Sequence, residues 1–558
     1  MNSVRAGARL VWKGPMSTVS TLIENPILRG FHPDPSWVWH HGRAWLATSS
    51  FGLVPGLPVY TSTDLAHWDY VGPAIDEAMG GKLFLKYIHD DTRGVFAPSI
   101  RVIGDALVIV STVVSIEVDR AIADGCDPDE LRAMSAANGN FALISHDDGR
   151  TWEGPHWVTG AIGNDPDLFV DDDGTAWWLA AHQSYNPKWP YQSDIYLRRL
   201  DLGTWTLSGP ELVPWHGALE GAVWAESPHL FRHDGRYYLI AAEAGTSRLH
   251  AESVARSTSL TEYFEGNPAN PILTHRNLGS HYPIQNIGHC DMLRDDDGRW
   301  WGVCLGSRIV KGYSFMGREP FVFPIEWEDG WPVFAPGTGL VPRFVDARHT
   351  GADAEASAER TDANGTDQAI SRVPADRLLR SPRQPGWLWT KVDHTDFTIF
   401  ADVIAGADSD AAIAPTREVR IQQTESDYAA LTIDPATREV RAIASAHGVA
   451  ETLWTGPYDE TAAYSIRLNG TITEFRVEPA SAMDDAGATA TGTDCEPTLL
   501  VRAGEVPEAS IAAGGYPVPD TSSPVTPTES TLLASRSAGF LSTEEAGGYL
   551  GCLAGVLR

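Results

Sequence analysis

The feature that most constrains the fold of this chain is an internal repeat. Five segments share one pattern: a polar or small residue, then an apolar strand, a turn and a second apolar strand. They begin at Asp34, Ala97, Asp165, Ser227 and Cys290, and the roughly 60–70 residues between starts are typical of propeller blades. Asp-Gly turns and the aromatic or β-branched residues after them favour hairpins. We therefore predict a five-bladed β-propeller over residues 20–345.

The rest of the chain predicts a second domain, since 558 residues are too many for one ordinary core. Residues 346–378 include a small, polar, aperiodic stretch, which indicates a linker or long loop. Alternating segments such as D-F-T-I-F-A-D-V follow it and favour a β-sandwich over residues 379–558. The expected fold class is therefore all-β: a five-bladed β-propeller followed by a β-sandwich domain.

Charge and cysteine content narrow the function classes. Lys plus Arg number 42 and Asp plus Glu number 73, so the net charge is −31. Such a surface repels nucleic acid and anionic membranes, and we expect neither as a partner. The five cysteines are scattered without a C-x-x-C motif, which argues against a disulfide framework or a zinc site. The N-terminal apolar stretch is too short for a signal peptide, so the expected location is cytoplasmic. The oligomeric state stays open.

Three of the repeats carry an acid at or just before the start of the first strand: Asp34, Asp165 and Glu226. In a propeller these strand starts converge on one central funnel, where carboxylates are costly to bury together unless function requires it. Glycoside cleavage uses one carboxylic acid to protonate the leaving oxygen and a second carboxylate to activate water or to attack. A third acid can raise the pKa of the first by repulsion. We predict these three as catalytic residues.

Aromatic residues flank the same strand starts. The face of a sugar ring stacks on aromatic side chains, and Phe31, Phe96 and Trp224 are therefore predicted substrate contacts. Most of the other tryptophans are expected to pack between blades.

Several motifs, in order along the chain, resemble glycoside hydrolase family 43, a family of β-xylosidases, α-L-arabinofuranosidases and arabinanases. They are N-P-I-L-R-G-F-H-P-D-P-S, V-F-A-P-S, N-D-P-D-L-F, W-A-E-S-P-H-L-F, H-R-N-L-G-S-H-Y-P-I-Q-N-I-G-H-C-D and M-G-R-E-P-F-V-F-P-I-E-W-E-D-G-W-P-V. A weaker likeness to the sandwich of the xylosidase-like branch rests on T-E-E-A-G-G-Y-L-G near the end.

The resemblance implies a role for each motif residue. Asp34 corresponds to the general base, Glu226 to the general acid, and Asp165 to the residue that tunes that acid. The family inverts the anomeric centre, with a carboxyl separation of roughly 6.5–9.5 Å. Arg318 resembles an arginine that binds the sugar in the −1 pocket, the subsite of the released pentose.

His289 resembles a histidine near the propeller axis, expected to contact substrate and, as an alternative, a structural Ca²⁺. No cofactor is expected to be required. Asp167, in the third motif, is interpreted as secondary.

Two departures from the family pattern bear on the substrate. Xylosidase-like members have S-T-F-E-W-F-P-G-V where this chain has S-S-F-G-L-V-P-G-L, Ser49 to Leu57, and they have Trp where this chain has Phe96. Both changes remove bulk near the expected −1 pocket. We therefore expect an exo-glycosidase that prefers terminal α-L-arabinofuranose on arabinoxylan-type oligosaccharides, with β-D-xylosidase activity on xylo-oligosaccharides as the alternative.

Other classes fit the sequence less well. A non-catalytic sugar-binding propeller is the alternative from another class, but all three acids are present in their motifs. An invertase-like fructosidase wants a W-M-N-D-P-N start, which this chain lacks. The Asp-box turn at Ser145–Trp152 suggests a sialidase, whose arginine cluster has no counterpart in the pocket motifs.

Overall fold

The computed structural model describes residues 22–310, 312–347, 371–401, 418–434, 437–459, 462–469, 472–479, 500–504, 531–537 and 551–557. Within them the fold is all-β and strand-rich, with three short α-helices, α1–α3, at Glu77–Lys82, Val118–Ala123 and Pro128–Ala136. No helix in this described part is long and apolar enough to cross a membrane. The stretch 348–370 of the predicted linker and all of T-E-E-A-G-G-Y-L-G except Gly551 lie outside the described residues.

Five four-stranded antiparallel sheets follow one another along the described chain, each with its strands in sequence order. The first, β2–β5, comprises Ser36–His40, Arg43–Ala47, Gly56–Ser62 and Asp69–Ile75. The second, β6–β9, comprises Gly94–Ile103, Ala106–Val114, Asn140–Ser145 and Glu153–Trp157. The third, β10–β13, comprises Asn164–Val170, Ala176–Gln183, Ser193–Asp201 and Thr206–Trp215. The fourth, β14–β17, comprises Glu226–His233, Arg236–Glu243, Ala251–Ser257 and Glu265–Gly266. The fifth, β18–β21, comprises Ile284–Arg294, Trp300–Arg308, Glu319–Glu328 and Trp331–Phe334.

Short connections of two or five residues join the first two strands of each four-stranded sheet. Between β14 and β15, Asp234 and Gly235 have φ of 45° and 74°, the pair of positive values that a two-residue hairpin turn requires. The sequence D-G at this point therefore fixes the hairpin.

The five sheets are arranged in a closed ring. The first strand of each sheet, β2, β6, β10, β14 and β18, contacts the first strand of the next, and β18 contacts β2 again. Each neighbouring pair of sheets shares its own apolar core, and the core between the fifth and first sheets includes Trp37 and Trp301. The first strands are thereby brought together at the centre.

The two ends of the ring are joined by the chain's first described residues. Strand β1, Leu22–Glu24, pairs with β22, Phe344–Asp346. Asn25 follows β1, and its side chain exchanges two hydrogen bonds with the backbone of Val322 in β20, with lengths of 2.7 and 2.8 Å. The N-terminal segment therefore closes the ring against the fifth sheet.

Two larger antiparallel sheets contain the strands after residue 370. The six-stranded sheet has the order β23, β33, β26, β31, β32, β34: Ser371–Arg372, Leu500–Gly504, Asp396–Phe400, Ala462–Asn469, Ile472–Pro479 and Thr531–Ser537. The seven-stranded sheet has the order β24, β25, β35, β27, β28, β29, β30: Leu379–Ser381, Gln384–Lys391, Leu553–Leu557, Glu418–Thr424, Asp427–Asp434, Glu439–Ala446 and Val449–Pro457. One apolar core joins both sheets, and it also takes in Phe315 and Met316 from the ring.

The segment just before β35 packs directly against the ring. The backbone N–H of Cys552 donates to the carbonyl of Phe315 at 2.7 Å. A Cβ on Gly551 would lie 2.6 Å from the carbonyl oxygen of Met316 and 3.0 Å from Cβ of Phe31, so only glycine fits this approach. The C-terminal sheets thus support the residues that flank Phe31 and Arg318.

Candidate active site

One unusual backbone conformation recurs at the repeat position of each first strand, here called the strand start, which lies just before β2 and within β6, β10, β14 and β18. Asp34, Ala97, Asp165, Ser227 and His289 all have positive φ, between 31° and 54°. In four of the sheets the pairing of the first two strands also shifts register beside this position. A left-handed conformation costs a non-glycine residue about 1–2 kcal/mol, so five equivalent instances indicate that the surrounding structure holds the strand starts in place.

Asp34 is buried and held in its ionised form. Arg318 donates through Nη1 to Oδ1 of Asp34 at 2.5 Å, and the hydroxyl of Ser49 donates to Oδ2 at 2.6 Å. Burial opposes the charge, but the Arg318 guanidinium, together with the hydrogen bond from Ser49, outweighs it, and the pKa of Asp34 is lowered. A carboxylate of this kind is available as a proton acceptor or nucleophile.

The pKa values of Asp165 and Glu226 are shifted in the opposite direction, upwards. Burial, with a smaller contribution from the charge of Asp34, raises the pKa of Asp165 to about 6. Burial, then Asp165, then Asp34, raises the pKa of Glu226 well above its usual range, and Arg318 offsets only part of this. Glu226 is therefore suited to carry a proton at neutral pH, as a general acid must.

Two histidines beside Asp34 are kept neutral. Nδ1 of His289 lies 3.8 Å from Oδ1 of Asp34. Burial lowers the pKa of His289 to about 3 and that of His250 to about 4. His250, which the sequence analysis missed, lies over Gly288, where any Cβ would come within 2.8 Å of the imidazole ring. Neutral imidazoles can exchange hydrogen bonds with sugar hydroxyls without competing for the charge of Asp34.

The predicted aromatic contacts lie in two different surroundings. Phe31 and Phe96 lie on either side of Phe51, with ring centroids 5.5 and 5.0 Å from it, and Arg318 lies over the Phe51 ring. Phe51 lies in the segment S-S-F-G-L-V-P-G-L that departs from the family motif, and it was not predicted as a substrate contact. Trp224 is instead 41% exposed, two residues before Glu226, with its ring 5.7 Å from that of Tyr191.

A second polar layer, here called the axial cluster, lies further along the first strands, two residues beyond the positive-φ position in four of them and four residues beyond it in β6. It comprises Ser36, Arg101, Asp167, His229 and Asp291, one residue from each four-stranded sheet. Arg101 pairs with Asp167 at 2.8 Å and with Asp291 at 2.9 Å, and both carboxylates have no solvent exposure. Asp167 is thus bound within this cluster, in keeping with a secondary role, while Arg101 escaped the sequence analysis.

The axial cluster bears on the predicted Ca²⁺. Calcium takes six to eight oxygen ligands, whereas a guanidinium already neutralises the carboxylates at this level. The part of the chain that the structure describes holds no group of three His, Cys, Asp or Glu side chains that could bind a metal. The residues near His289 therefore do not suit Ca²⁺, and metal binding stays a prediction.

Comparison with known proteins places this geometry in a family. The profile described as "Glycosyl hydrolases family 43" matches residues 23–332, more than half of the chain. A "Xylosidase/arabinosidase" of Butyrivibrio fibrisolvens is 40% identical over 332 residues, which cover 58% of this chain and 59% of that protein. A "Non-reducing end alpha-L-arabinofuranosidase" of Bacteroides ovatus is 32% identical over 328 residues, 58% of this chain and 55% of that protein.

These matches thus span less than two thirds of the curated relatives. Among solved structures, a GH43_12 protein from a capybara gut metagenome has a TM-score of 0.69 at 22% identity, covering 98% of this chain and 96% of that one, and shares its fold. With the profile match over the ring and its carboxylates, the chain belongs to glycosyl hydrolase family 43.

Proposed function

We propose that the protein is an inverting exo-glycosidase that releases terminal pentose, preferably α-L-arabinofuranose, from arabinoxylan-type oligosaccharides. The observation that carries the proposal is that the pKa values of two carboxyl groups at one site are shifted in opposite directions. The pKa of Asp34 is lowered while that of Glu226 is raised well above its usual range. Such a pair supplies a base and an acid at the same pH.

The reaction follows from these protonation states. Glu226 donates its proton to the glycosidic oxygen as the bond from that oxygen to the anomeric carbon breaks. Asp34 accepts a proton from a water whose oxygen forms the new bond to the anomeric carbon from the opposite face. Asp165 keeps Glu226 protonated by repulsion, and Arg318 stabilises the ionised Asp34 and orients the sugar. A contact of His289 with the sugar hydroxyls is part of the same proposal.

The pentose preference rests on the shape of the pocket wall. Phe31, Phe51 and Phe96 form an aromatic row beside Asp34 and Arg318. Phe31 and Phe51 are buried, and the partly exposed Phe96 offers a ring on which the apolar face of a small sugar can stack. Phenylalanine at position 96, in place of the family's tryptophan, leaves room for a furanose. The second candidate, a β-D-xylosidase, is favoured by a "Putative beta-xylosidase" of Escherichia coli that is 33% identical over 327 residues.

The fold proposal is that the five four-stranded sheets are the blades of a β-propeller over residues 20–345 and that the two larger sheets form a β-sandwich over 379–558. The cyclic contacts of the first strands and the apolar core shared by the larger sheets support it. The segment 346–378 then acts as the linker, and its residues Ser371–Arg372 add a short strand to the six-stranded sheet.

The test is an assay on p-nitrophenyl α-L-arabinofuranoside, p-nitrophenyl β-D-xyloside and arabinoxylan oligosaccharides, with Glu226→Gln as the inactive variant. Glu220→Gln is the matched control, because Glu220 is exposed on the same connection to β14. Arabinose release that only Glu226→Gln abolishes supports the proposal, and proton NMR of the first-formed anomer reports inversion. Xylose release would reverse the substrate choice. Release of no pentose from any substrate would favour the sugar-binding alternative.

A further inference from the structure

The axial cluster connects all five sheets through one side chain. From β6, Arg101 reaches Asp167 in β10, Asp291 in β18 and Nδ1 of His229 in β14, at 2.8 to 2.9 Å. Its Nη1 also lies 3.3 Å from Oγ of Ser36 in β2. Arg101 is therefore the one member of the cluster that contacts each of the other four.

Each contact lies two or three residues from a group at the site above. Ser36 follows Asp34 by two residues, and Asp167 follows Asp165 by two. His229 follows Glu226 by three residues. Because the strand starts adopt a costly left-handed conformation, they need support from the residues just below them.

We propose that Arg101 is a positioning residue, which fixes the relative placement of Asp34, Asp165 and Glu226 by holding the first strands together one layer below them. The inference deepens the proposed function, since it rests on those carboxylates performing the reaction. Arg101 touches none of them in the structure's hydrogen bonds and acts through Asp167, His229 and Ser36.

The alternative is that Arg101 only stabilises the fold. A planar guanidinium with five N–H donors can hold several acceptors in fixed relative positions at once. A lysine ammonium is a compact point charge and cannot do so. A purely stabilising role would allow any replacement that folds. A positioning role requires that folded replacements still change the chemistry.

The choice of variant keeps folding intact. Arg101→Met alone leaves Asp167 buried with little compensation, which is strongly destabilising. Asp291 is better protected, because Ser36, the backbone of Trp37 and the backbone of Met292 also donate to it. The double variant Arg101→Met/Asp167→Asn therefore removes one positive and one negative charge together and leaves the net charge unchanged.

The measurement is kcat, KM and the pH dependence of kcat/KM on p-nitrophenyl α-L-arabinofuranoside and β-D-xyloside, with circular dichroism to verify folding. The charged groups that face Glu226 are Asp165, Asp34 and Arg318, and the pKa of Glu226 depends on their distances from its carboxyl group.

We expect the folded double variant to lose about 10- to 100-fold in kcat with KM changed less than about threefold, because small misplacements of reacting groups are this costly. The upper limb of its pH profile should move to lower pH by about half a unit or more, as Asp165 and Glu226 move apart.

Two further variants separate the explanations. Arg101→Lys keeps the charge and should recover part of the lost kcat. Arg467→Met removes another partly buried ion pair, with Asp396 in the six-stranded sheet, and should leave kcat and the pH profile unchanged. A folded double variant with the wild-type kcat and upper limb would overturn the inference.

If the proposed function is wrong, the unmodified protein itself will release no pentose, which distinguishes this outcome from a failure of the positioning role. In that case the inference is tested by carbon-13 NMR titration of the labelled Glu226 carboxyl, assigned with Glu226→Gln. A lower pKa of Glu226 in the double variant than in the unmodified protein supports the positioning role, and an unchanged pKa refutes it.

Discussion

The hydroxyl of Ser49 offers a quantitative test of how Asp34 is kept ionised. It donates to Oδ2 of Asp34 at 2.6 Å, and both residues are buried. A hydrogen bond to a charged group contributes about 1.5–3 kcal/mol. Since one pKa unit corresponds to about 1.36 kcal/mol, Ser49→Ala should raise the pKa of Asp34 by about 1–2 units.

The sign of this change follows from the lowered pKa of Asp34 in the unmodified protein. Losing a donor to the carboxylate favours its protonated form, so the acidic limb of kcat/KM should move to higher pH. The assay is kcat/KM between about pH 3.5 and 8 on p-nitrophenyl α-L-arabinofuranoside, or on the β-D-xyloside if that is the better substrate. The acidic limb of kcat/KM reports the pKa of the essential base in the free enzyme, which is Asp34 in the proposed mechanism.

Ser50→Ala is the matched control for this experiment. Ser50 is also buried, but within the described part of the chain its hydroxyl has no hydrogen-bond partner. The control should leave the acidic limb where it is. If Ser49→Ala shifts that limb by less than about 0.3 unit, or if Ser50→Ala shifts it equally, the hydrogen-bond argument is wrong.

Three further predictions concern other contacts. Asp165→Asn removes a charge that raises the pKa of Glu226, so the basic limb of kcat/KM should move to lower pH and kcat at neutral pH should fall at least about tenfold. Gly551→Ala should cost about 1–3 kcal/mol in urea unfolding and raise KM, whereas Gly81→Ala, with nothing within 4 Å of its Cβ, should do neither. Burial raises the pKa of Asp91 to about 7, so ionisation of Asp91 progressively destabilises the folded protein as the pH rises from about 4 to 7. Asp91→Asn should therefore resist urea better than the unmodified protein at pH 8 and equally well at pH 4.

The sequence was most informative where a signal repeats. The pattern after Asp34, Asp165 and Ser227 recurs along the chain, and the corresponding strands open the first, third and fourth four-stranded sheets. Alternation and turn residues are local properties, so they can be read without knowing the partners of a strand. The same repeats indicated which acids would meet.

The residues that support those acids could not be found in this way. Arg101 stands in the apolar strand A-P-S-I-R-V-I, and its partners in the axial cluster lie 65 to 190 residues away in other sheets. A single arginine in a strand carries no local sign of such pairing. His250 and Phe51 were missed for the same reason, since their importance depends on the neighbours that the ring brings to them. Trp224 was predicted from its position beside a strand start, but its exposure could not be read from the sequence.

The closure of the ring has a consequence for how the protein is synthesised. Asn25 binds the backbone of Val322, 297 residues later, and Asp34 receives its arginine from position 318. At about 5–20 residues per second, a ribosome takes roughly 15 to 60 seconds to make the intervening chain. Throughout that interval the nascent chain carries Asp34 without its counter-ion and the first sheet without its last neighbour. Assembly of the candidate active site is therefore among the last events in the folding of this part of the chain. Nascent chains released before position 318 contain the candidate acid and base but lack the arginine that pairs with Asp34.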